Sequence, residues 1–253
     1  MRRRKSNPGL KLVTRARQTG LGLLLAAAIV VAWLTVHIHA VLLGDIPGLL
    51  AGACLVIAQC WLNVGLFIIA HDCMHGSLAP GRGRLNATVG TVCVALYAGF
   101  SYTKLLKAHF QHHRAPGTDD DPDFSVVHSR APMRWFVTFV FRYFGWREFA
   151  TLTVVLCIYV LALGVPLERM FVFWALPAIA SSMQLFYFGT YLPHHAEVAP
   201  FADRHNTRST AYGYLGSLLS CYHFGYHHEH HLHPSVPWWQ LPVTRKERLA
   251  NAG

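Results

Sequence analysis

Three short runs in this 253-residue chain place histidines at helical spacing. They are HDCMH with His71 and His75, HFQHH with His109, His112 and His113, and HHEHH with His227, His230 and His231. Residues three and four apart share a helix face, so each run points two or three imidazoles in one direction. Imidazole suits iron, copper, zinc and nickel, whereas magnesium, calcium and manganese prefer oxygen. One tetrahedral zinc takes at most four ligands, so eight donors fit two metals. Two adjacent irons are the usual means of activating dioxygen against an unactivated C–H bond. The soluble form of that chemistry uses Glu-x-x-His pairs, and none of Glu148, Glu168, Glu197, Glu229 or Glu247 has His three residues on. The protease pattern HExxH is missing too, because His228 and Glu229 are followed by His230, His231 and Leu232.

An isolated histidine at a helix end is ordinarily a hydrogen-bonded structural group. Three ordered clusters outweigh that reading. His194, which ends the stretch FGTYLPH, is a ninth candidate ligand because Tyr187, Thr190 and His194 share one face; His195 competes with it. His228 and His233 break the ligand spacing and read as structural or as outer partners of the ligands. His223, four residues before His227, fits either role, and His128 and His205 stand alone in loops.

The elements that must carry these clusters are hydrophobic. Hydrophobic residues make up 53% of the chain and charged ones 13%, a balance rare in water-soluble globules. Apolar blocks at 19–43, 46–70, 149–165 and 170–191 predict four transmembrane helices, since about 20 residues cross the roughly 30 Å bilayer core. Short breaks around Gly44, Asp45 and Pro47 and at Glu168 and Arg169 make two hairpins of them. The first block is too long for the usual secretory signal and reads as an uncleaved span. Lys and Arg number seven up to Arg17, nine from His71 to Arg147 and five after His194, against Arg169 alone on the other side. The positive-inside rule therefore puts both termini, the basic tail 1–18 and a helical cap of residues 71–148 and 192–253 in the cytoplasm. It also accounts for the net charge of +10 without nucleic acid. Fifteen of the seventeen histidines, all but His37 and His39, fall on that side. The six cysteines form no CxxC pair and lie mostly in apolar stretches, which argues against disulfides and zinc knuckles. The expected fold is all-α, a single membrane domain over 1–253 with the histidine site in its cytoplasmic cap. The stretches 87–100, 134–146 and 234–242 are expected to lie along the interface.

The sequences around the boxes carry a more specific likeness. HDCMHGSLAPGR, LYAGFSYTKLLKAHFQHHRAPGTDDDPDF, YFGWRE, FGTYLPHH, DRHNTRST and HFGYHHEHHLHPSVPWWQLP resemble the bacterial beta-carotene 4-ketolases, within the membrane fatty-acid desaturase and hydroxylase superfamily. The tail up to Arg17 carries none of it, and Cys73 inside the first box is a minor variation. The resemblance implies a bacterial inner-membrane enzyme with two Fe2+ ions, dioxygen and two external electrons per turnover, which oxidises the C4 methylene of a beta-ionone ring to a ketone. Two rounds are implied, a 4-hydroxyl and then a geminal diol that loses water. Beta-carotene would pass through echinenone to canthaxanthin, and zeaxanthin to astaxanthin. The C4 hydrogen is allylic and weakly held, so no side-chain nucleophile or acid/base pair is required. The chain holds no GxGxxG, haem or iron–sulfur motif, so electrons must come from a separate donor, a ferredoxin with its reductase. A carotenoid 3-hydroxylase or a fatty-acid desaturase or hydroxylase would share the iron site, and a metal store or transporter is the non-catalytic alternative.

Other residues are placed around this centre. Asp72, Asp120, Asp123 and Glu229 are candidates to accept the free N–H of a ligating imidazole, though the run Asp119 to Asp123 also reads as a solvated charge patch. Tyr97, Phe100, Phe188 and Tyr191 are candidates to line a carotenoid channel, with core packing as the competing reading. Asn63 and Gln184, polar within spans, are expected to bond between helices.

Overall fold

A computed structural model describes residues 13–45, 48–195 and 200–252. Residues 1–12 of the basic tail and residues 46–47, within the first expected hairpin, lie outside the described residues. Every regular element among the described residues is helical. In chain order these are α1 (Arg15–Leu43), α2 (Gly48–Met74), α3 (Gly83–Ala98), α4 (Tyr102–Arg114), α5 (Pro132–Tyr143), α6 (Trp146–Ala162), α7 (Leu167–His194), α8 (Tyr214–Cys221), α9 (His227–Leu232) and α10 (Leu241–Ala252).

Three helices, α1, α2 and α7, are long and apolar enough to cross a bilayer. The pairs α3–α4 and α5–α6 bend by 102° and 81° and raise the count of candidate spans to as many as five. The block expected over 149–165 is α6, which stops at Ala162 and begins at Trp146, at the bend from α5. Within α1, α6 and α7 the hydrogen bonding widens locally to i→i+5, over Ile38–Leu43, Ile158–Ala162, Phe171–Ala175 and Phe186–Tyr191.

Helix α2 is the hub, packed against α1, α3 and α7. Half of its most apolar window is buried inside the protein, against 28% for α1 and 17% for α7. The outer helices consequently turn Leu24, Val31, Leu161 and Ile179 outward, as expected where the solvent is lipid. Polar groups within the spans bond across helices: Trp33 Nε1 donates to Asn63 Oδ1 at 2.6 Å, and Gln184 Nε2 donates to the Ser220 carbonyl at 2.7 Å. Helix α3 runs back along α2, bringing the Tyr97 ring to 6.3 Å from that of Phe67. Gly99, at φ 66°, ends α3 in the left-handed conformation, where a residue with a Cβ is disfavoured. Ser101 Oγ then caps α4 by accepting from Lys104 N at 3.4 Å. That turn aims the second histidine run at the end of α2.

Candidate metal centre

Four segments deliver the histidines. The last turn of α2 provides His71, and His75 follows it with its N–H still bonded to the His71 carbonyl. Helix α4 provides His109, His112 and His113, the end of α7 provides His194, and α9 provides His227, His230 and His231. A left-handed pair, Tyr222 at φ 48° and His223 at φ 61°, reverses the chain between α8 and α9. Such backbone is costly for residues with side chains. Burial of Tyr222, stacked on Trp61 at 4.3 Å, helps hold it, and Gly65 leaves the room, since a Cβ there would lie 2.7 Å from the Tyr222 hydroxyl.

The nine imidazoles fall into two groups. His71, His75, His109, His113 and His230 form one, and His112, His194, His227 and His231 the other, the ligand atoms of each group lying within 4.8 Å of one another. The nitrogens face each other closely: His75 Nε2 to His109 Nε2 at 2.6 Å, His113 Nε2 to His230 Nε2 at 3.0 Å, His112 Nε2 to His231 Nε2 at 3.1 Å, and His231 Nε2 to His227 Nε2 at 3.1 Å. Two imidazoles sharing a metal at about 2.1 Å place their nitrogens about 3.0 Å apart when the bonds are at right angles. Burial, and then the neighbouring imidazoles, push His227, His230 and His231 well below the usual histidine range, so these rings are the neutral donors that metals require. His194 donates from Nδ1 to the Asn206 carbonyl at 2.8 Å, and its Nε2 is buried without a hydrogen-bond partner among the described residues. Both ring nitrogens of His71 are likewise unsatisfied. Buried, inward-facing ring nitrogens without hydrogen-bond partners are what a bound cation satisfies. Five donors in the first group exceed what tetrahedral zinc takes, so the donor set fits two imidazole-favouring metals.

The acidic loop after α4 fixes one of these candidate ligands. Asp121, buried, accepts from His112 Nδ1 with both oxygens, at 2.9 and 3.0 Å, and from the N–H groups of Gly117 at 2.7 Å and Asp123 at 2.8 Å. Burial alone would raise its carboxyl, but His112 and the two amides hold it below the usual range. His112 is thereby kept with its proton on Nδ1 and Nε2 facing the second group. Asp123 accepts at Oδ1 from the Tyr143 hydroxyl, and its Oδ2 lies 3.9 Å from His112 Nδ1. Although His112, Asp121 and Asp123 could themselves hold a cation, these hydrogen bonds already account for the trio.

An apolar cavity reaches both groups, touching His71 and His109 of the first and His112 and His227 of the second. Its walls include Phe67, Tyr97, Phe100, Phe139 and Phe224. A second apolar space, bordered by α6 and α7, shares Tyr97, Phe100 and Ser182 with it. Two groups of candidate metal ligands thus border one apolar cavity.

The fatty acid desaturase model matches residues 46–151 and 141–252 of the chain. A beta-carotene ketolase from a Paracoccus strain is 51% identical over 238 residues, covering 91% of this chain and 95% of that protein. One from a second Paracoccus strain is 53% identical over 227 residues, covering 88% and 91%. The chain belongs to the beta-carotene ketolases of the fatty acid desaturase family. A zeaxanthin 4-ketolase from Chlamydomonas reinhardtii is also similar, at 34% identity over 238 residues, 89% of this chain and 53% of that protein. Within this ketolase chain all nine candidate ligands are brought together. Several neighbours sit differently from expectation. The structure brings Asp121, not Asp120, to His112: Asp120 is exposed and offers only its backbone carbonyl, to Gln111 Nε2. Asp72 lies 3.8 Å from His71 Nδ1, too far for a hydrogen bond, and Oδ2 instead accepts from Trp238 N at 3.1 Å. Glu229 makes no hydrogen bond to a candidate-ligand imidazole among the described residues; buried, it accepts from Ser209 Oγ, Arg248 Nε at 2.7 Å and Arg245 Nη1 at 3.3 Å, tying α9 to α10. His223 is buried between Tyr226 and Trp238, outside both groups. His228 bonds Asp203 at 2.8 Å. Tyr97 and Phe100 line the cavity, whereas Phe188 and Tyr191 do not and Gly189 and Thr190 between them do. Asp121, Asn206 and Phe224 were not singled out by sequence reasoning. Asp121 is one acid in a run of four, and Asn206 and Phe224 lie in the stretches DRHNTRST and HFGYHHEHH.

Proposed function

We propose that this chain is an oxygen-dependent carotenoid 4-ketolase that converts the C4 methylene of a beta-ionone ring to a ketone through an alcohol and a geminal diol. The observation that carries it is the pairing of nine convergent imidazoles with an apolar cavity reaching both groups, in a chain 51% identical to a protein named beta-carotene ketolase. His71, His75, His109, His113 and His230 would hold one iron and His112, His194, His227 and His231 the other. Bound there, the two irons would supply the activation of dioxygen, with two electrons per round from an external donor such as a ferredoxin and its reductase. The chain's own residues do the rest. Asp121 and the Asn206 carbonyl orient His112 and His194, and the aromatic walls exclude water and hold the ring. Beyond orientation, these side chains have no acid/base work assigned in the oxidation.

The same reading has residues 1–253 as one domain. Four spans form two hairpins, 19–43 with 46–70 and 149–165 with 170–191. Residues 71–148 and 192–253 make the cap, and the cap and both termini lie on the cytoplasmic side of a bacterial inner membrane. The Lys and Arg distribution supports that orientation. Expression in cells already making beta-carotene, followed by chromatography of the pigments, tests the activity. Echinenone and canthaxanthin are the expected products, as is astaxanthin in cells making zeaxanthin. A 3-hydroxylated carotenoid or a new acyl double bond, without any ketone, would overturn it.

A further inference from the structure

The cavity wall contains one carboxylate, that of Asp123. A hydrocarbon ring offers it nothing to bond, and an acid in an apolar cavity is costly unless it has a partner. The surrounding structure nevertheless fixes this side chain. The Asp123 backbone carbonyl accepts from Trp135 Nε1 at 2.8 Å, its N–H donates to Asp121 Oδ1 at 2.8 Å, and its Oδ1 accepts from the Tyr143 hydroxyl. Tyr143 is itself anchored, since its backbone carbonyl accepts from Lys104 Nζ at 2.7 Å. The other oxygen, Oδ2, makes no hydrogen bond among the described residues and lies 3.9 Å from His112 Nδ1. The side chain is 16% exposed, and both Asp123 and Tyr143 border the cavity that reaches the metal ligands.

The first oxidation changes what the cavity holds. A hydrocarbon ring becomes an alcohol, whose O–H forms away from water and needs an acceptor near the site where it was made. We propose that Asp123 Oδ2, oriented by Tyr143, accepts a hydrogen bond from the ring alcohol formed in the first oxidation and holds that intermediate for the second. The assignment rests on the ketolase reading. It gives the enzyme a way to retain the half-oxidised ring that does not weaken its grip on the hydrocarbon. A charge-assisted hydrogen bond in a site of low polarity is strong enough for that purpose.

The test uses the full chain, purified with its metal in lipid nanodiscs. Dissociation constants are measured by pigment absorbance for beta-carotene and for its 4-hydroxy and 3-hydroxy derivatives, without dioxygen or reductant. For Asp123→Asn the ratio of the 4-hydroxy constant to the beta-carotene constant is expected to rise about tenfold, the loss of a charge-assisted bond. Tyr143→Phe should move it in the same direction by less. In turnover, free 4-hydroxy pigment should accumulate relative to ketone in both variants. An unchanged ratio in Asp123→Asn, a larger shift for the 3-hydroxy ring, or equal weakening of all three pigments would each overturn the proposal. Absence of ketone from the wild-type protein would instead defeat the ketolase reading, and the binding ratios would still be readable.

Discussion

Replacing Asp121 by Asn changes one oxygen to an NH2 group and keeps the shape of the side chain. In the wild-type loop the two oxygens of Asp121 accept His112 Nδ1–H and the N–H groups of Gly117 and Asp123. An amide has one accepting oxygen and two donor hydrogens, so at least one of those donors must face another donor in a buried site. Either the imidazole loses its orienting acceptor or the loop that carries the carboxylate shifts. Loss of such a partner typically weakens a metal site 10- to 100-fold, or about 1.4–2.7 kcal/mol. The assay is iron per chain after equilibration with graded chelator. Asp121→Asn should lose its more weakly held iron, from the group containing His112, at about 10- to 100-fold less chelator than wild type. Asp120→Asn, changing an exposed neighbour, should titrate like wild type. If the two variants behave alike, the carboxylate does not tune the ligand and the reasoning from hydrogen-bond geometry fails.

The remaining predictions concern packing and protonation. Gly189→Ala would bring a Cβ within 2.8 Å of the Phe224 ring, which packs on His71 and His227 at 4.6 and 4.8 Å; overpacking of about 1–3 kcal/mol should lower the melting temperature and pigment affinity, and a variant indistinguishable in both would show that the ring yields freely. Glu229→Gln removes the charge facing Arg245 and Arg248 and should cost about 1.5–3 kcal/mol, read as a lower melting midpoint in detergent, while an unchanged midpoint would mean that the tie between α9 and α10 is dispensable. In metal-free protein, His227, His230 and His231 resist protonation when folded but titrate near 6.5 when unfolded. The unfolded state therefore binds more protons below that pH, so stability falls as pH drops from about 6.5, by up to about 1.4 kcal/mol per unit for each histidine. A chelated protein whose denaturation midpoint is flat between pH 7.5 and 5 would contradict this.

The convergence of the box histidines was legible because three- and four-residue spacing survives any arrangement of the helices that carry it. His194 was legible as a candidate for the same reason, because it shares a helix face with Tyr187 and Thr190. Its outer partner was not. Which of four clustered acids meets His112 depends on the path of the loop after Arg114, set by Gly117 at φ 69° and by Asn206, whose side chain donates to the Pro116 carbonyl at 3.0 Å from far along the chain. The cavity lining was misjudged at Phe188 and Tyr191 for a local reason. Between Phe186 and Tyr191 the helix is wound to i→i+5, and the wider turn rotates Gly189 and Thr190 inward. Hydropathy showed the apolar blocks, but it could not show that α6 is bent away from α5 by 81°. That angle is set where Gly145 N donates to Glu148 Oε2 at 2.9 Å and Lys104 approaches Glu148 at 3.5 Å.

The most direct measurement is an anomalous-difference map at the iron absorption edge from crystals of the iron-loaded protein. Two peaks are expected, one among His71, His75, His109, His113 and His230 and the other among His112, His194, His227 and His231. A single peak with the edge of zinc, or metal bound away from these nine rings, would contradict the account.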